Sequence, residues 1–140
     1  MKRSKIGLKE AERFHGHLGP YLVLGLLAGE LALKRLRCRK HFGLEVKVWG
    51  ATRKPKSCLI DGLQLSAGAT YGKGNIQKIA GSKIRALFCN LKNKKEIKIS
   101  LREYLIERLD SLKGHKDSEA FARELYKTDP FKIFNLITGE

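Results

Sequence analysis

The chain has 140 residues, 42% of them hydrophobic, which suits one domain built on one core. Lys and Arg number 29 against 14 Asp and Glu, a net charge of +15 that would draw nucleic acid, an anionic membrane or an acidic protein. Three widely spaced cysteines (Cys38, Cys58, Cys89), no C-x-x-C pair and no signal-peptide pattern argue against a disulfide scaffold and for a reducing cytoplasm.

In chain order, Lys9–Phe14 reads as a short helical turn that runs into the loop Phe14-His-Gly-His-Leu-Gly-Pro20. Pro20 fits the first position of a helix, where its missing N–H costs nothing. From Tyr21 to Leu36 the apolar residues Leu22, Leu26, Leu33 and Leu36 recur at helical spacing, and Gly25, Ala28, Gly29 and Ala32 form a second, small-residue stripe. Glycine inside a helix costs about 1 kcal/mol against alanine, so two of them point to a neighbour that approaches closely. The spacing predicts a buried central helix. Its uncharged run, Leu18 to Gly29, is too short to span a bilayer, so no membrane is expected.

Leu44–Trp49 alternates with period two and reads as a strand. Ser57 has the character of an N-cap for a short helix, Cys58–Ser66, ended by Gly68, and Ala69–Asn75 is a glycine-rich loop. Lys83–Leu91 and Glu96–Ser100 are predicted strands joined by a turn at residues 92–95. Leu101–Leu112 and Asp117–Tyr126 are predicted amphipathic helices, and Asp129-Pro130 breaks into an apolar tail, Phe131–Ile137. The succession of helices, strands and helices implies an α+β fold: a mainly antiparallel sheet packed with a long central helix, then a helical C-terminal extension over residues 101–140 of a single domain spanning 1–140.

Three segments carry residues capable of chemistry. His15 and His17 stand two apart in a bendable loop between Gly16 and Gly19, so their imidazoles can converge on one ion; zinc, iron, nickel and copper all take neutral imidazole. The same loop opens a helix, where an anion would also be favoured, and a capping or core role is the plainest alternative. Cys58 lies at a predicted helix start, where the dipole would lower its pKa and suit a nucleophile or a metal ligand. Asp61 and Gln64 follow at one-turn intervals on the same face; a buried, inert cysteine with Asp61 tied locally is the structural alternative. Gly68-Ala-Thr-Tyr-Gly-Lys-Gly-Asn75 is one spacer short of a phosphate loop and lacks the hydroxyl after Lys73, so it reads as a flexible loop or plain turn. Cys38 and Cys89 have no ligand-type neighbours and read as packing residues. From Lys34 to Lys56 nine Lys or Arg face one acid, Glu45. That run is either a nucleic-acid surface or a solvated lysine-rich face, and it lacks the aromatic interleaving of a base-stacking platform.

Taken together, Phe14-His-Gly-His-Leu-Gly-Pro20, Cys58-Leu-Ile-Asp-Gly-Leu-Gln64 and Gly72-Lys-Gly-Asn75 resemble, in order, the signature of the FmdE family of formylmethanofuran dehydrogenase proteins. The resemblance spans about Leu8 to Leu91. It implies an α+β core domain, often a homodimer, whose histidines, cysteine and Gln-bearing helix share a cleft suited to a metal. Carried onto this chain, it makes His15, His17 and Cys58 the metal ligands, and Asp61, Gln64, Lys73 and Asn75 supporting or ligand-contacting residues for an unknown small molecule. The chain departs from many relatives at Gly19 and Ala69, where they carry cysteine, and no paired cysteines for a C-terminal zinc ribbon follow Cys89. What remains is a set of two histidines and one thiolate with an open position, the pattern of catalytic zinc among divalent transition metals. In a metal-free version Cys58 would be a thiolate nucleophile with His17 as imidazole base. The expected role is an enzyme or accessory in one-carbon or metal-cofactor metabolism. The rival roles are a basic nucleic-acid-binding module and a non-catalytic subunit whose basic face docks on an acidic protein.

Overall fold

The computed structural model describes residues 6–139, which form six helices and five strands. They run α1 (Leu8–His15), α2 (Pro20–Leu36), β1 (Leu44–Trp49), α3 (Cys58–Ala67), β2 (Ile76–Ile79), β3 (Arg85–Asn90), β4 (Glu96–Leu101), α4 (Glu103–Asp110), α5 (Gly114–Tyr126), α6 (Pro130–Ile133) and β5 (Phe134–Gly139). The fold is α+β, with one sheet in the order β2-β1-β3-β4-β5. Only β1 and β2 are parallel, joined through α3; the other three pairings are antiparallel.

Period-two alternation gives the sheet one apolar face. Val46 and Val48 of β1 lie opposite Phe88 and Ala86 of β3, which lie opposite Ile97 and Ile99 of β4. All six are buried, whereas Glu45, Lys47, Arg85 and Lys98 between them are exposed. The apolar face packs against α2, whose only residues not buried are Glu30, Lys34 and Arg35. This is the central helix the sequence predicts, and Pro20 does occupy its first turn.

The small-residue stripe of α2 receives α3. A Cβ added at Gly62 would come within 2.8 Å of the Gly25 Cα, and one at Gly25 within 2.9 Å of the Gly62 Cα. The two backbones therefore touch, and Ser66 Oγ donates to the Gly25 carbonyl at 3.0 Å to seal the contact. This approach fixes how deep α3 sits, and with it the position of Cys58, Asp61 and Gln64.

Two strands differ from expectation. Ile76–Ile79 (Ile-Gln-Lys-Ile) lacks alternation, yet it forms β2 because the parallel edge of β1 offers it backbone partners. The apolar tail is not a tail: Asp129 caps α6 through the Phe131 N–H at 3.0 Å, and residues 134–139 then add to β4 as β5. Residues 101–139 are thus helical only in part, and Leu101 closes β4 rather than opening a helix. Among the described residues no single helix is long and apolar enough to cross a membrane.

Candidate metal centre

Helix α1 ends one residue later than the sequence suggests, so His15 is its last residue rather than part of the loop. Gly16 follows with φ 108°, a left-handed conformation that a side chain rarely tolerates, and its N–H bonds to the Glu12 carbonyl at 2.7 Å. The reversal turns the chain back on itself, and α1 and α2 meet at a bend of 119°. That bend lets residues two apart face each other: the His15 and His17 ring centroids are 4.7 Å apart at 57°.

Cys58, the first residue of α3, completes a cluster. One ring nitrogen from each histidine and the Cys58 sulfur all lie within 4.8 Å of one another. Burial grades across the three: the His15 side chain is 11% exposed, Cys58 is half-buried and His17 is exposed. The donor atoms suit a borderline-soft divalent ion. One atom makes the fit specific. His15 Nδ1 lies 2.6 Å from Asp61 Oδ2, while His15 Nε2 is buried with no hydrogen-bond partner among the described residues. Buried polar atoms are nearly always satisfied, and an ion between the three donors would satisfy this one.

The neighbouring residues divide into two groups. Gln64 Nε2 donates to Asp61 Oδ1 at 3.3 Å, and Gln64 Oε1 accepts the Tyr71 N–H at 3.3 Å, so these residues line the cluster from behind. Asn75 instead holds backbone: its Nδ2 donates to the His41 and Leu44 carbonyls at 2.8 and 3.2 Å, and its Oδ1 accepts the Thr70 N–H at 2.9 Å. Lys73 Nζ donates to Thr70 Oγ1 at 3.1 Å and lies over the Phe42 ring.

The expected lowering of the Cys58 pKa is reversed. Burial and then the Asp61 carboxylate push the thiol above its ordinary value, with Lys54 pulling the other way. The helix start supplies little compensation, because its first N–H groups are already bonded. Those of Cys58, Leu59 and Ile60 donate to the carbonyls of Pro55, Lys56 and Ser57, and Ser57 makes no side-chain cap. The influence of Lys54 escapes the motif reading; the cation run just ahead of Cys58 is the signal that could have shown it. Gly19 faces the cluster as well: a Cβ there would come within 3.2 Å of the His17 ring. The missing side chain lets the Gly19 backbone pack close against the His17 ring.

The fold and the cluster define a class: an α+β protein with a candidate two-nitrogen, one-sulfur metal centre at the junction of three helix ends. Residues 14–135 match the family described as "FmdE, Molybdenum formylmethanofuran dehydrogenase operon", and the chain belongs to that family. A solved relative is a tungsten formylmethanofuran dehydrogenase FmdE-like protein from Syntrophus aciditrophicus. It is similar over 95% of this chain and 70% of its own, at 20% identity and a TM-score of 0.67, a likeness of fold. No curated protein matches the chain. The family match extends well past Leu91, so it takes in the C-terminal elements that carry no recognisable signature.

Proposed function

We propose that this FmdE-family protein binds a divalent transition metal such as zinc through His15, His17 and Cys58, and serves one-carbon or metal-cofactor metabolism as an enzyme or accessory. The observation that carries this reading is the convergence of three donor atoms within 4.8 Å around a buried, unpartnered His15 Nε2. A bound ion would act as a Lewis acid, polarising a carbonyl or lowering the pKa of water at the open position. The protein's own residues supply the rest. His15 is held from behind by Asp61, Cys58 brings a negative charge when it gives up its proton, and exposed His17 lies on the solvent side.

The raised Cys58 pKa speaks against the metal-free nucleophile, since a protonated thiol is a poor one. We also propose a cytoplasmic homodimer, to be checked by sedimentation of the purified protein. The metal reading is tested by elemental analysis of wild type beside His17→Ala and Cys58→Ala. Wild type is expected to carry close to one metal per chain and both variants to lose most of it. Metal content unchanged in both would sink the ligand assignment.

A further inference from the structure

We infer that Asp61 is a positioning residue: it fixes the tautomer and the ring orientation of His15 so that Nε2, and not Nδ1, is the donor presented to the cluster. The inference rests on the metal reading above, and it starts from one short contact. An ionised carboxylate can only accept hydrogen bonds. At 2.6 Å from Asp61 Oδ2, His15 Nδ1 must therefore carry a proton. In the neutral ring that leaves Nε2 with a bare lone pair. Nε2 is also the atom that is buried and has no partner.

Asp61 is itself held. Its second oxygen accepts from Gln64 Nε2, and the Gln64 carbonyl oxygen accepts the Tyr71 N–H, which ties the arrangement to the loop after α3. The carboxylate thus has both oxygens engaged and little freedom to release the imidazole. With a divalent ion in place, one thiolate and one carboxylate would balance its charge. Outer carboxylates of this kind orient ligand imidazoles and increase their basicity, and losing one typically costs about 10–100-fold in metal affinity.

The test has two arms. In metal-free protein carrying ¹⁵N-histidine, long-range proton–nitrogen correlation above the imidazole titration range should show His15 with its proton on Nδ1. Asp61→Ala should lose that preference, whereas Asp61→Asn, which keeps an acceptor oxygen, should retain it. A proton on Nε2 in wild type would overturn the inference. In the second arm, Zn²⁺ is titrated against a chelator: Asp61→Ala should bind about 10–100-fold more weakly than wild type, with Asp61→Asn between them. Equal affinity in wild type and Asp61→Ala would also overturn it. If wild type binds no Zn²⁺ while His15 shows the Nδ1 proton, the metal reading fails and takes the metal-directed role with it. An Nε2 proton in a protein that does bind Zn²⁺ removes the Asp61 assignment alone.

Discussion

At the scale of single residues, the electrostatics of Cys58 decide how the site responds to pH. Burial and Asp61 hold the thiol pKa above its ordinary 9.0, so the folded protein binds that proton more tightly than the unfolded chain does. The sign follows: metal-free stability falls as pH rises past the ordinary thiol value toward the folded one. Metal binding must displace the proton, so affinity rises with pH. The thiol proton contributes its own share of that pH dependence. Zinc affinity of wild type is expected to rise with pH more steeply than that of Cys58→Ala, by up to about tenfold more per pH unit for the one extra proton displaced; chelator competition across the range checks this. Equal slopes would mean the thiol is already ionised. Residue types and order were legible in the sequence at this scale, including the polar face of Cys58, Asp61 and Gln64. The partner of Asp61 was not, because His15 is 46 residues away along the chain and joins it only after folding.

At the scale of elements, the α2–α3 contact is the joint on which the site depends. Gly25 and Gly62 face each other with no room for a Cβ on either backbone. Gly62→Ala would force the helices apart, and overpacking of this kind costs about 3 kcal/mol. Urea denaturation should show a lower midpoint with an unchanged slope; an unchanged midpoint would mean the helices are not so close. The glycine stripe on α2 was readable from its spacing, because a helix tolerates two interior glycines only for a packing reason. That α3 is the element that fills it was not readable, since many apolar segments fit a stripe of small residues. Strand β1 was visible through its alternation, and β3 and β4 as two strands either side of the turn at residues 92–95. Strands β2 and β5 were not: they are the two edges of the sheet, and an edge strand needs hydrogen-bonding neighbours more than an alternating pattern.

At the scale of the whole molecule, charge dominates. The +15 balance sets a field felt by any polyanion. The cations of residues 34–56 are spread over several elements: exposed Lys34 and Arg35 end α2, Lys47 is exposed on β1, and Arg53, Lys54 and Lys56 precede α3. Such a distribution favours loose, non-specific attraction. Binding to a generic DNA duplex is expected to fall steeply with salt, by about 10³-fold or more between about 50 and 200 mM if six or more phosphates are contacted. His17→Ala should leave that binding unchanged, as titrations by fluorescence anisotropy would show. Loss of DNA binding in His17→Ala would place the anion at the histidine cluster instead.

The class of fold, the central helix, the inner strands, the family signature and the identity of the three candidate donor residues all follow from the amino-acid order. They obey local rules: periodicity, turn chemistry and the succession of motifs along the chain. Folding in three dimensions was needed to bring the donors together, to stand Asp61 behind His15, to commit Asn75 to backbone, and to make the Cys58 thiol harder to ionise rather than easier. Each of those depends on distances between residues far apart in the chain, or on burial. The left-handed turn at Gly16 and the glycine contact between α2 and α3 set those distances, and neither the bend nor the partner is written in any one segment.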